Sequence, residues 1–376
     1  MNINTGTSVK TYFPNLDGLR FWAFLAVFLG HARGEFIFPF EPGKLWSSIV
    51  FRLTSLAGVG VGFFFVLSGF LIVFLLINEK VNFGRIGLGN FYMRRILRIW
   101  PLYFLILFIG LILPHFFSIL NIRTSGDNIA FFVTFFANFQ YTSQHWGDGH
   151  SFILGVLWSI SVEEQFYIII PLLLAGLHRK WISHLFVGII IASFIFRCTH
   201  NTPNMRYYHT LGAISDLALG GLTAFLIIEK TDIVTLFNHL NRKWIYLFYL
   251  FFFFLISTKT NTFNFSSETW WMPFEKPLFS ICFSFIILEQ NFAKESFFKC
   301  HKSKIVTYLG RISFGLYMYH GLVLICVKSL LYPHVEIFRW GFLAAYPIAL
   351  FLNIGLAHLS FQYLEMPILK LKEYFI

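Results

Sequence analysis

The sequence predicts an all-α polytopic integral membrane protein with about ten transmembrane helices. Three observations predict it. Of 376 residues 57% are hydrophobic and only 12% charged, with a mean hydropathy of +0.67, which excludes a soluble domain with a polar surface. Apolar runs of roughly 20 residues, enough to cross about 30 Å of hydrocarbon, recur from one end to the other. The basic residues also sort the connecting loops into a rich and a poor set, which orients the helices.

Taken in order, the spans run near Leu16–Phe36, Leu56–Ile77, Ile99–Phe117, Gly155–Leu177, His184–Phe196, Leu211–Ile228, Trp244–Ile256, Phe274–Leu288, Ile305–Val327 and Trp340–Leu364. Before the first, "MNINTGTSVKTYFPN" lacks a basic n-region and a small-residue cleavage site, so that span is expected to be retained. The second, containing "GVGVGFFFVLSGFLI", presents small faces that suit close helix packing. Between the third and fourth lies "IAFFVTFFANFQY", Ile129–Tyr141, apolar but short, and whether it spans decides the orientation of everything after it. If it does not span, the clusters Lys80 to Arg98, Arg179 and Lys180, Lys230 to Lys243, Lys294 to Lys304, and Lys370 with Lys372 share one side. The poorer side then carries Arg33, Lys44, Arg52, Arg123, Arg206 and Lys259. Ile129–Tyr141 is therefore expected to be re-entrant or interfacial, and both termini cytoplasmic. The net charge of +11 needs no nucleic-acid partner. Cys198, Cys282, Cys300 and Cys326 are scattered without metal-ligand spacing. With no internal repeat and no linker, residues 1–376 are expected to form one membrane domain.

Ionisable groups inside these spans are costly and mark interiors or water-filled cavities. Arg20 and His31 lie eleven positions apart, so on a helix they share a face within roughly 20° and stand about 16 Å apart along the axis. Asp17, one turn before Arg20, joins the stripe. A bland alternative has Arg20 snorkelling, Asp17 capping and His31 sitting at the interface. In "WSISVEEQFYIIIP" the adjacent Glu163 and Glu164 lie inside a span and point about 100° apart, so one can face the interior while the other pairs elsewhere. In "FYMRRILRIWPLYF", Arg95 and Arg98 share a face and suit the phosphates of a cytoplasmic anion such as coenzyme A, although topology alone accounts for their charge. Arg311 lies near the inner end of its span, and His320, His358 and Glu365 are explained at least equally well as core histidines and as an edge carboxylate paired with a cytoplasmic cation.

In this order, "LDGLRFWAFLAVFLGHA", "FFFVLSGFLI", "FYMRRILRIWPLYF", "WSISVEEQFY", "ISFGLYMYH" and "FQYLEMP" resemble the acyltransferase-3 family, from about Leu16 to Pro367. That family O-acylates bacterial surface and exported carbohydrates. Its arginine–histidine signature falls on Arg20 and His31, and its Arg-x-x-Arg signature on Arg95 and Arg98. The resemblance implies a multi-pass protein of the bacterial inner membrane, with a core of about ten helices and cytoplasmic termini, in agreement with the charge pattern. It implies acyl transfer from cytoplasmic acyl-CoA, most often acetyl-CoA, to a glycan hydroxyl such as one on lipopolysaccharide, with no permanently bound cofactor and no metal. Some relatives append a soluble domain. This chain resembles the stand-alone form, for which any extracytoplasmic partner would be a separate chain.

The reaction requires a base for the acceptor hydroxyl, stabilisation of an oxyanion and placement of the thioester. His31 is the candidate base, Glu163 or Glu164 its orienting acid, Arg95 and Arg98 the CoA ligands, and Arg20 with Asp17 the lining of the passage. Direct transfer and an acyl-enzyme relay, with Ser68 as carrier, both stay open. The alternative class is a transporter or flippase for a lipid-linked or anionic solute, built on the same polar groups. A non-catalytic assembly subunit leaves the polar stripe without a reason. Acceptor choice is expected in Ala32–Ser55, Arg197–Thr210 and Thr258–Met272, where Trp46, Tyr207, Tyr208, Trp270 and Trp271 suit stacking on sugars or an interfacial belt.

Overall fold

The computed structural model describes residues 13–36, 56–116, 126–142, 150–259, 272–331 and 341–375. Trp46, Trp270 and Trp271, with most of two loops expected to choose the acceptor, lie outside the described residues. Among the described residues there are helices and no strands. In lipid every backbone group must be satisfied within the chain, and a bundle of helices does this segment by segment.

Helix α1 (Pro14–Glu35) opens with a proline in its first turn, where the missing N–H breaks no helical bond. Helix α2 (Ala57–Phe83) stops at Gly84, whose left-handed φ of 71° lets its N–H return to the Lys80 carbonyl. Then come α3 (Leu88–Phe116), the short α4 (Ile129–Val133), α5 (Ala137–Gln140) and α6 (Phe152–Gly155), and the long α7 (Leu157–Gly176). Helices α8 (Ile182–Thr199), α9 (Pro203–Tyr208), α10 (Thr210–Glu229), α11 (Thr231–Asn238), α12 (Arg242–Lys259) and α13 (Met272–Phe292) follow. The chain closes with α14 (Lys304–Arg311), α15 (Ser313–Leu331), α16 (Gly341–Ser360), a π-helical turn at Phe361–Glu365, and α17 (Met366–Lys370).

Seven helical stretches are long and apolar enough to cross a membrane, or eight if α11 and α12, bent by 96°, form one span. The protein is therefore a multi-pass membrane protein. The sequence pointed to about ten spans; two of the helices outside the seven are α1 and α13, of 22 and 21 residues, which carry polar groups along their length. The stretch Ile129–Tyr141 is broken into α4 and α5 around a turn, and neither piece is long enough to cross. Gln140 and Asn138 are buried there, and the Asp127 carboxylate accepts hydrogen bonds from the Ser151 N–H at 2.8 Å and Gln140 Nε2 at 3.1 Å, so this corner is tied to protein.

The expected span Ile305–Val327 is corrected. It breaks at Ile312 into α14 and α15, so Arg311 and His320 belong to different helices. Close approach explains the arrangement, because Gly310 lies directly on the Asp17 carbonyl of α1, with no room for a side chain. The last span also differs, running unbroken from Ala344 to Phe375 and so converting the expected basic tail into helix.

Helix α2 stands at the centre, with α1 on one side and α10 on the other. Gly69 meets the Leu217 backbone and Gly220 meets that of Val66, so two glycines let α2 and α10 touch backbone to backbone. A side chain at Gly220 must push against backbone rather than a movable tip. Gly220→Val is thus expected to destabilise the protein by about 1–3 kcal/mol. Gly188→Ala, with nothing within 4 Å of the added carbon, should be neutral; thermal melts of the detergent-solubilised variants check both.

Candidate active site

A cavity of about 560 Å³ lies between α1, α2, α3, α7, the end of α14, α15 and the last helical stretch, residues 361–372. It brings together Asp17, Arg20, Arg95, Arg98 and Glu163, five of the seven residues singled out from sequence. Each is aimed there by helical phase. Asp17 and Arg20 are one turn apart on α1, and their side chains pair at 3.2 Å. The other Asp17 oxygen stands 3.8 Å from Nε of Arg311, whose side chain is 56% exposed and marks the mouth of the cavity. Arg95 and Arg98 share a face of α3, with Arg95 over the Phe91 ring at 5.6 Å. Arg94 points elsewhere. Its guanidinium donates to the Phe375 carbonyl at 2.6 Å and lies 3.6 Å from Glu79, so the third arginine of that cluster fastens the end of the chain.

On α7 the two glutamates diverge as helical geometry requires. Glu163 enters the cavity, accepting from the Ser68 hydroxyl at 2.8 Å and the Tyr167 hydroxyl at 3.1 Å. Glu164 is buried outside the cavity lining, and its Oε1 has no hydrogen-bond partner among the described residues. The small residues of α2 accordingly do two jobs, since the glycines pack helices while Ser68 serves the cavity.

His31 stands apart from this lining. Its Nδ1 is 2.8 Å from Nε2 of His320 on α15, with the two rings 8° from parallel. Neither glutamate hydrogen-bonds it, so the expected orienting acid is replaced by a second imidazole. The physical reason is that Glu163 is held by Ser68 and Tyr167 one helix away. The cavity lining and the imidazole pair are joined through α15: Tyr317 lines the cavity, and its carbonyl accepts from Nδ1 of His320 one turn further on. The Tyr317 hydroxyl meets that of Ser159 at 2.7 Å.

Sequence reasoning missed Ser159, Tyr167, Tyr317 and Lys372 as cavity residues, gave Arg311 no role, and weighed Glu365 and His320 no higher than an edge and a core residue. One usable signal was present, because Glu365 and Lys372 are seven positions apart, a spacing that returns to one helix face. The cavity therefore carries five cations, Arg20, Arg95, Arg98, Arg311 and Lys372, against the carboxylates of Asp17, Glu163 and Glu365. That balance suits a ligand bearing several negative charges. Ser68 is held by Glu163, which leaves it committed as a donor. Tyr207 and Tyr208, expected in an acceptor loop, both pack against Trp158, with ring centroids 5.1 and 5.0 Å away.

Fold and site together define a multi-pass helical membrane protein with a cation-rich cavity and an imidazole pair one helical turn beyond it. The sequence profile of the acyltransferase-3 family, described as an acyltransferase domain, matches residues 13–359, and the chain belongs to that family. A protein of Staphylococcus aureus strain COL with the provisional name O-acetyltransferase SACOL0978 is 30% identical over 380 residues, covering 96% of this chain and 58% of its own length. O-acetyltransferase OatA of Staphylococcus aureus strain NCTC 8325 is 26% identical over 384 residues, covering 96% of this chain and 57% of its own. The chain thus spans less than two thirds of the curated relatives it matches. No solved structure matches it.

Proposed function

We propose that this protein is a membrane O-acetyltransferase that takes acetyl-CoA from the cytoplasm and acylates a hydroxyl of an exported or surface carbohydrate, in the inner membrane of a bacterium. The observation that carries it is the cavity, in which five cationic side chains converge between the two helices, α1 and α15, that each contribute one imidazole of the pair. Such a cavity can hold the phosphates of coenzyme A at its basic mouth, through Arg95, Arg98, Arg311 and Lys372, and direct the thioester arm inward. A volume of about 560 Å³ falls within the usual range for small-molecule sites.

In this mechanism the acceptor hydroxyl attacks the acetyl carbonyl carbon, a C–O bond forms and the C–S bond breaks. His31 takes the hydroxyl proton and returns it to the departing thiolate, giving the ester and free CoA. The basic end of the bundle faces the cytoplasm by the positive-inside rule. The donor then enters from one side and the acceptor from the other, which is a use for a histidine placed beyond the donor cavity.

The test compares O-acetyl groups on the surface glycans of a strain carrying the gene with those of a deletion strain. Loss of a specific ester on deletion, restored by the gene, is the expected result and identifies the acceptor. A change in the amount of glycan with its ester content intact would replace this function with transport.

A further inference from the structure

We propose that His320 is a positioning residue that fixes the proton on His31, so that Nε2 of His31 is the basic nitrogen presented to the acceptor; this rests on the acyl-transfer function above. His320 is fully buried, and both of its ring nitrogens are engaged. Nδ1 faces the Tyr317 carbonyl, and a carbonyl oxygen only accepts. Nδ1 of His320 therefore carries a hydrogen. In a neutral imidazole the other nitrogen is then an acceptor, so the hydrogen in the 2.8 Å contact between the rings belongs to Nδ1 of His31. The one remaining nitrogen, Nε2 of His31, is left with its lone pair. The opposite assignment would set two lone pairs against each other at the Tyr317 carbonyl.

Packing holds the pair in this register. Phe152 stands edge-on to both rings, with centroids 5.3 Å from His31 and 6.4 Å from His320, and Phe24 closes on His320 at 6.4 Å. The orienting group therefore comes from another helix, 289 positions away in sequence, which a merely satisfied core histidine does not require. When His31 takes the acceptor proton, its Nδ1–H bond to His320 becomes charge-assisted and stronger, and the bond from His320 to the Tyr317 carbonyl is polarised in the same direction. His320 thus performs the task of the acid in a catalytic triad without adding a charge of its own.

The experiment measures acetyl-CoA-dependent release of CoA thiol by native membranes carrying the full chain, with protein levels checked. His320→Leu, which offers neither arm, is expected to lower turnover on the order of 10²-fold while the KM for acetyl-CoA stays within about twofold. In His320→Gln the side-chain oxygen can still accept from His31, and turnover is expected within about tenfold of wild type. His320→Asn can reach the Tyr317 carbonyl but not His31, and should fall with His320→Leu. If His320→Leu does not accumulate, the contrast between Gln and Asn decides alone. Gln and Asn variants equally impaired at normal protein levels, or both indistinguishable from wild type, would overturn the assignment. Wild-type membranes releasing no thiol above a deletion strain remove the acyl-transfer function and this inference with it. Thiol release lost in His31→Ala but kept in His320→Leu removes this inference only.

Discussion

Replacing His31 with alanine is expected to abolish O-acetyl transfer while leaving the protein in the membrane and its affinity for acetyl-CoA unchanged. The imidazole stands outside the lining of the cation-rich cavity, in which Arg95, Arg98, Arg311 and Lys372 are gathered, so its removal subtracts nothing from the groups proposed to hold coenzyme A. It does subtract the proposed base. General-base contributions are typically 10²–10⁴-fold, so turnover should fall on the order of 10³-fold with KM constant. His31→Gln sharpens the test: its amide can still hydrogen-bond His320 and fill the same volume, but it takes no proton, and it is expected to be as inactive as His31→Ala. Ester content of the surface glycans, measured beside the membrane level of each variant, reads the result. Esters retained in both variants would place the base elsewhere.

Removing Arg95 and Arg98 together should produce the opposite signature. Hydrogen bonds to charged groups contribute about 1.5–3 kcal/mol each, so the double alanine variant is expected to raise the KM for acetyl-CoA on the order of 10²-fold or more. Lysine at both positions should recover part of that loss, since it restores charge without the planar fork. Because Arg311 at the mouth is half exposed, wild-type KM should also rise with salt, and the double variant should be less salt-sensitive. Titrating acetyl-CoA at two ionic strengths separates these outcomes. A fall in kcat at unchanged KM would mean that the two arginines act on the reacting atoms instead of on the donor.

The parts of this protein legible in sequence were those governed by hydropathy and helical phase. Asp17 and Arg20 fall on one face of α1, and Glu163 and Glu164 diverge on α7, because a hundred degrees per residue is a property of any α-helix. The break at Ile312 was hidden, since Ile305 to Val327 reads as one apolar stretch, and the close approach of Gly310 to the Asp17 backbone lies right beside the division. Pairing between distant helices was hidden for the same reason. His31 was expected against a glutamate because carboxylates are the usual partners of catalytic imidazoles, yet Ser68 and Tyr167 take Glu163, and His320 fills the place. Local periodicity says which way a side chain points along its own helix. It does not say which helix stands opposite.

The π-helical turn at Phe361–Glu365 works as a phase-shifter. A turn with i→i+5 bonding takes up one residue more than an α-turn, so everything after it is rotated by about 100° relative to an uninterrupted helix. In the present phase Glu365, Leu369 and Lys372 all reach the cavity. Deleting a single residue from that turn would leave the composition and hydropathy of the last helix almost untouched, yet would swing the lysine ammonium away from the cavity mouth. The fifth cation of the cavity is thus set by a count of residues, a kind of information that an alignment gap would carry and a hydropathy plot would not.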